Sequence, residues 1–237
     1  MALPKQSTPI YSVIIPSTDE RIRFTPFLVK QEKSLLIAQQ SEDTIIMLDT
    51  LKSIIEECVI DKIDISSLAM FDIEYLMLQL RARSMGEIVE LLFSCDVCDD
   101  PKAKVQISFD LTNIQVKKDP IHSKLIKLFD NVGVMMKYPG INDIKKYETL
   151  DLENIDNIFT LIINSIDYIY DDKEVFHSKD QTKEELHDFI NNLTQLQFQK
   201  LREFFETMPK LRQDVRYTCP VCKLDHNKYL EGIDTFF

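Results

Sequence analysis

The sequence predicts an α+β fold, mostly helical, with an N-terminal β-hairpin and a small ribbon split between two distant parts of the chain. Three observations predict it. Apolar residues recur at three- and four-residue steps along much of the 237-residue chain. Glycine is scarce, with four residues, so tight turns have few obvious sites and helices are favoured over a many-stranded sheet. Two C-x2-C pairs, Cys95/Cys98 and Cys219/Cys222, lie far apart in sequence but in similar surroundings, after Phe93-Ser94 and Tyr217-Thr218.

The hairpin comes first. Tyr11 to Ile15 is apolar and β-prone, Pro16-Ser17-Thr18-Asp19 is a turn signal, and Arg21 to Phe24 alternates polar and apolar. Thr25-Pro26 then reads as a helix start that places Phe27, Leu28, Leu35 and Leu36 near one face. Ser41 is the cap expected for a second helix with Leu48, Leu51, Ile54, Ile55 and Cys58 on its stripe, which makes Cys58 a buried thiol. A third helix lies within Asp64 to Arg83, with Ile73, Leu76, Met77 and Leu80 inward, and ends at Ser84-Met85-Gly86. Ile88 to Phe93 leads into the first cysteine pair, and Val105, Ile107 and Phe109 alternate after it: strand, knuckle, strand. Val132 to Met136 is a further apolar run, closed by Tyr138-Pro139-Gly140.

From about Asp143 to Leu211 the chain reads as helical. Ile155, Ile158, Phe159, Ile162 and Ile166 form one stripe, Thr182 with Glu185 and Thr194 with Gln197 are capping boxes, and Pro209 is a stop. The predicted organisation is a hairpin with helices over 1–87, a split ribbon from 88–115 with 212–237, and an inserted, mainly helical region over 116–211.

The cysteines carry the chemistry. A two-residue gap lets both sulfurs of a pair point into one concavity, and two such turns complete a tetrahedral four-sulfur site for a structural zinc ion. The metal ligands predicted are Cys95, Cys98, Cys219 and Cys222, with His226 a substitute for one of them. Closing the long loop between the pairs costs only a few kcal/mol of entropy, and structural zinc supplies about 10 kcal/mol or more. A redox role would call for a βαβ setting, which neither pair has.

The formal net charge of −11 disfavours phosphate backbones and anionic lipid. No secretory signal is legible, and no run approaches the ~18 apolar residues of a membrane span. With Gly86, Gly133, Gly140 and Gly232 dispersed, no phosphate-binding loop can be built. His122, His177 and His187 sit in polar contexts and are expected at the surface, as are the acidic pairs Asp171-Asp172 and Glu184-Glu185. A closed four-sulfur zinc has no open position for substrate. The expectation is a protein that is not an enzyme, takes no small-molecule substrate, and works by contact with other proteins in a reducing cytoplasm.

Several ordered blocks carry a resemblance. Met1 to Lys5, Thr8 to Ser17, Phe24 to Lys33, Phe71 to Leu76 and Leu80 to Gly86, then Tyr138-Pro139 and Glu184 to Pro209, resemble the T-even-type bacteriophage baseplate hub assembly protein family. The resemblance implies a late protein of a contractile tail baseplate, structural or chaperone-like. It implies hub and tail proteins as partners, and a location in the host cytoplasm during assembly and in the virion baseplate. The zinc comes from the cysteines, not from the resemblance. The rival reading is a zinc-ribbon, nucleic-acid-binding accessory factor of late phage transcription, for which Lys102, Lys104, Lys117, Lys118, Lys223 and Lys228 near the knuckles would serve. For contacts with partners, the apolar candidates are Phe198, Phe204 and Phe205 and the tail Phe236-Phe237.

Overall fold

The computed structural model describes residues 7–98, 100–147 and 155–236, with the side chains of Tyr147, Ile155, Asp156 and Asp234 excepted. In chain order the elements are β1 (Tyr11–Ile14), β2 (Arg21–Phe24), α1 (Val29–Ser41), α2 (Thr44–Cys58), α3 (Met70–Met85), β3 (Ile88–Ser94), β4 (Lys104–Asp110), β5 (Val116–Lys117), β6 (Leu125–Phe129), β7 (Val132–Met136), α4 (Ile141–Tyr147), α5 (Ile155–Asn164), β8 (Ile166–Tyr170), β9 (Val175–His177), α6 (Lys183–Asn191), α7 (Gln195–Thr207), β10 (Lys210–Thr218) and β11 (Asp225–Glu231). The chain forms two compact units, one of residues 1–117 with 210–237 and one of residues 118–209.

The expectation of a mostly helical fold is wrong. Helix accounts for about 42% and strand for about 28%, and the strands form four sheets among the described residues. The scarcity of glycine misled because other residues make the turns. Asp19 (φ 58°) and Asp130 (φ 38°) occupy the left-handed region in the β1–β2 and β6–β7 turns, a region that Asp tolerates better than most side chains do. The side chains of Asp64, Asp110, Asp119 and Asp171 accept the backbone N–H two residues on, at 2.8–3.0 Å. The acidic composition is thus partly a turn-forming composition.

In the first unit, α3 is the central element. Ile73, Leu76, Met77 and Leu80 are buried, but so are Phe71, Tyr75, Leu78 and Ala82, so the helix is covered nearly all round. Its neighbours include α2, β10 and the turns Leu111–Asn113 and Ile233–Phe236. Phe236 is 1% exposed within this core. It is therefore a packing residue and not a contact for partners; Phe237 lies outside the described residues. Asp72 is fully buried at the start of α3 and accepts the Ser17 N–H at 2.9 Å and the Ala69 N–H at 3.1 Å. Burial pushes its pKa up against those hydrogen bonds. Two predicted caps move: α1 starts at Val29, three residues beyond Pro26, and Asp43 rather than Ser41 caps α2. Leu35 faces inward as expected, whereas Leu28 and Leu36 are exposed.

The second unit is a four-stranded antiparallel sheet, order β6-β7-β8-β9, covered by helices. Leu128, Val134, Met136, Ile162, Ile163, Ile166, Ile169, Leu186, Ile190, Leu201 and Phe204 form its core. Ile166, predicted to close the α5 stripe, instead opens β8. The run Ile166-Asp-Tyr-Ile-Tyr170 is rich in branched and aromatic side chains that suit a pleated surface. Asp171 then reverses the chain by accepting the N–H groups of Lys173 and Glu174, both at 2.8 Å. His122, expected at the surface, is buried. Its Nδ1 lies 2.9 Å from Thr207 Oγ1 and its Nε2 2.9 Å from Tyr138 Oη. Two hydroxyl partners are what make a buried imidazole tolerable.

Candidate metal centre

Two hairpins of the first unit position the four cysteines. β3 and β4 pair with Phe93 opposite Val105, Leu91 opposite Ile107 and Val89 opposite Phe109. Being alternate residues, all six lie on one face. β10 and β11 pair with Val215 opposite Lys228 and Tyr217 opposite His226. Phe93, Phe109, Val215 and Tyr217 are buried against one another, with Val89, Leu91, Val105, Ile107 and Leu230 around them. The apolar alternation read from the sequence is this face, and its packing brings the two knuckles to one place.

Each knuckle is closed by its own backbone. Cys95 N–H donates to the Ala103 carbonyl at 2.9 Å, and Ala103 N–H to that of Asp100 at 2.8 Å. Cys219 N–H donates to Leu224 at 2.9 Å and Lys223 N–H to Cys219 at 3.1 Å. Lys223 takes φ 61°, a position where glycine would be unstrained.

The ligand atoms of Cys95, Cys98, Cys219 and Cys222 all lie within 4.8 Å of one another. Across the knuckles, Cys95 Sγ is 3.7 Å from Cys222 Sγ, and Cys98 Sγ is 3.5 Å from Cys219 Sγ. A tetrahedron with metal–sulfur bonds of about 2.3 Å has edges of about 3.8 Å, whereas a disulfide needs about 2.05 Å. The spacing fits ligands around one ion. All four sequence-predicted residues are in the cluster. Cys58 is elsewhere and buried, and its burial, with the Glu57 charge, pushes its thiol up to about 11.

The electrostatics fit the same description. Burial opposes ionisation of Cys219, but the N–H groups of Cys222 and Val221 and the neighbouring thiols hold its pKa down at about 6. The N–H groups of Cys98 and Val97 lower Cys95, with Val97 N–H 3.4 Å from its sulfur. The second cysteine of each knuckle goes the other way. Burial and the Cys219 sulfur push Cys98 up to about 12. The Leu224 N–H favours a Cys222 thiolate, but the Cys219 sulfur and burial raise its pKa. In each knuckle the first thiolate is favoured over the second, and a bound cation would offset the cost of the second.

The roles of His226 and Tyr217 at this site were not legible. His226 Nε2 lies 3.2 Å from Cys95 Sγ, and its ring stacks on Tyr217 at 4.9 Å. The sequence offered His226 only as a replacement ligand. The register that sets it opposite Tyr217, beside a sulfur rather than in place of one, appears only once β10 and β11 are paired. The lysines around the knuckles are partly neutralised: Lys228 pairs with Asp96 at 2.8 Å and Lys117 with Asp214 at 2.5 Å.

A family model described as T4 bacteriophage base plate protein matches residues 8–237. The chain belongs to this family. Searches of curated proteins and of solved structures gave no significant match. The four-cysteine cluster is therefore a feature of this baseplate protein established by its own geometry. Among the described residues, no helix of the baseplate protein is long and apolar enough to cross a membrane.

Proposed function

We propose that this baseplate protein is a structural or assembly subunit of the tail baseplate hub, acting by protein–protein contact, with one zinc ion holding its split ribbon closed. The observation that carries the reading is the family match over residues 8–237. The zinc is supported by four sulfurs within 4.8 Å of one another. A four-thiolate set takes zinc or iron. Zinc is the choice here because a closed, purely structural site asks for an ion without redox chemistry. When bound, it supplies neutralising charge to the thiolates and joins the turn after β3 to the turn after β10. The chain's own residues prepare the site. Backbone N–H groups stabilise thiolates, and His226 Nε2 is placed to donate to Cys95, as outer-shell partners of ligands do.

The reading assigns no catalytic role and no small-molecule substrate. It places the chain in the host cytoplasm while tails are built. It also sets aside the transcription-factor alternative. The net charge is −11, and two of the six lysines near the knuckles, Lys117 and Lys228, are already engaged by carboxylates, which weighs against a phosphate backbone as partner.

The test has two parts. Purified chain should carry about one zinc per molecule by elemental analysis, colourless and without iron. Cys95→Ser and Cys219→Ser should each lose the metal and lower the unfolding midpoint. Infection with phage lacking the chain should yield no complete tails until it is supplied. Metal-free variants of wild-type stability would remove the zinc. Normal tails without the chain would remove the baseplate role, and salt-sensitive DNA binding at physiological salt would restore the alternative.

A further inference from the structure

Beside the β1–β2 hairpin of the first unit lies a groove of about 520 Å³, lined by Ser12, Val13, Ile14, Arg21, Tyr75, Gln79, Gln115 and Val116 among others. Strands β1 and β5 both border it. Among the described residues β1 is paired only with β2, and β5 only with β10.

The registers show which backbone groups point away from the paired strands. Ile15 N–H donates to Glu20, while Ile60 N–H and Thr25 N–H engage Arg23 and Cys58 on the far side of β2. In an antiparallel ladder the bonded residues alternate. Tyr11 and Val13, opposite Phe24 and Ile22, therefore point their N–H and C=O groups at β2, and Ser12 and Ile14 point theirs outward. On the other side, Cys219 N–H donates to Leu224 and Gly232 N–H to Leu211. By the same alternation Leu211 spends its groups on the β11 side. Its β5 partner Val116 is left facing away from β10. Ser12, Ile14 and Val116 all line the groove. Both strands that border it thus have an open edge, with peptide groups that no strand pairs among the described residues.

Two further observations call for an occupant. Gln79 is 8% exposed, and its Nε2 has no hydrogen-bond partner among the described residues. A buried orphan amide of this kind costs stability in the isolated chain. Ile14 is 47% exposed on the open β1 edge, where edge strands are normally blunted by charge, proline or cover.

We propose that this groove receives an extended segment of a partner baseplate protein, which pairs with β1 on one side and β5 on the other and joins the β1–β2 hairpin to the β5–β10–β11 sheet. Only a peptide backbone offers alternating donors and acceptors along both of its edges, matching Ser12 and Ile14 on one wall and Val116 on the other. Strand addition of this kind draws affinity from main-chain bonds. Gln79 supplies a buried donor for a carbonyl or side-chain oxygen of the segment. The inference rests on the baseplate reading for the identity of the partner; the open edges themselves do not depend on it.

Amide hydrogen exchange tests it, on the isolated chain and on baseplate assemblies purified from infected cells. In the isolated chain the amides of Ser12, Ile14 and Val116 should exchange fast while Val13 is protected. In assemblies all three should slow by about 100-fold or more. Gln79→Met should leave the isolated chain as stable or more stable, since an orphan donor is removed, yet lower the recovery of complete tails in complementation. Assemblies that contain the chain with these three amides still exchanging fast would overturn the strand alone. Assemblies without the chain would overturn the baseplate reading beneath it. Protection already present in the isolated chain, or appearing there with concentration, would make the occupant this chain or its own copy and would equally overturn the proposal. A Gln79→Met chain that is less stable and builds tails normally would show that the amide serves only the fold.

Discussion

The hydroxyl of Tyr217 donates to the backbone carbonyl of Ser94 at 2.7 Å. Tyr217 is on β10 just before the second knuckle, and Ser94 ends β3 just before the first. One hydrogen bond thus ties together the two strands that deliver the cysteines. Tyr217→Phe should keep the ring packing on Phe93 and remove only this bond. The expected cost is about 1 kcal/mol, toward the lower side because Lys228 Nζ also reaches the Ser94 carbonyl, at 3.4 Å. Chemical denaturation measures it, and zinc content should be retained. A loss of metal in Tyr217→Phe would mean that the bond positions the knuckles rather than merely stabilising them.

Lys223 should behave as a conformational position. It follows Cys222 with φ 61°, which strains any residue with a Cβ and β-branched ones most. Lys223→Gly relieves that strain but loosens the unfolded chain and loses the Nζ contact to the Pro220 carbonyl. The net change should lie within about 1 kcal/mol. Lys223→Val keeps the strain, adds β-branching and should cost more than about 1 kcal/mol. The order of midpoints, with Gly at or above Lys and Val lowest, is the measurable outcome. Equal midpoints for Gly and Val would show that the knuckle does not hold this residue in the left-handed region.

The metal cluster was legible because its signal is local twice over. Each C-x2-C pair fixes its own turn, and alternation in Val105, Ile107 and Phe109 marks the face that joins them. The N-terminal hairpin and the α2 and α3 stripes were legible for the same reason, since periodicity over one element reports its buried side. The β8–β9 hairpin was not. Ile162 and Ile166 are four apart, a helical spacing, and only the sheet pairing of Ile166 with Met136 decides against a continued helix. His122 was misplaced because its polar sequence neighbours say nothing of Thr207 and Tyr138, its partners in space. Gly133 was read only as one of four scattered glycines, although its place in the sheet has a specific reason.

Gly133 on β7 stands opposite Tyr170 on β8. A Cβ built there would overlap the Tyr170 ring and hydroxyl. Gly133→Ala should destabilise the second unit by about 1–3 kcal/mol through overpacking. Shortening the facing side chain should relieve it, so the double variant Gly133→Ala with Tyr170→Val should recover part of the loss, which a double-mutant cycle on the unfolding midpoint would measure. Simple additivity would mean that the ring moves aside without cost.

The second unit should also lose stability in mild acid, and His122 is the reason. Burial lowers its pKa below the ordinary 6.5, and the nearby Lys118 charge lowers it further against the opposing pull of Asp119. In the folded unit the imidazole therefore stays neutral at a pH where the unfolded chain has already taken up a proton. Within that window the unfolded state binds more protons, so stability rises with pH. The contribution of the neutral histidine is complete above about 6.5, declines as pH falls from there, and is lost as pH passes through the lowered folded value. The geometry agrees: the imidazole sits between two hydroxyls, neither of which carries the negative charge that would favour a protonated ring. His122→Gln removes the titration while leaving His177 and His187 in place, so the difference between the two pH profiles isolates His122. The unfolding midpoint of the wild-type unit should fall between pH 7 and pH 5 more steeply than that of His122→Gln, whatever their offset at pH 7. Parallel profiles would show that the buried ring does not carry the response.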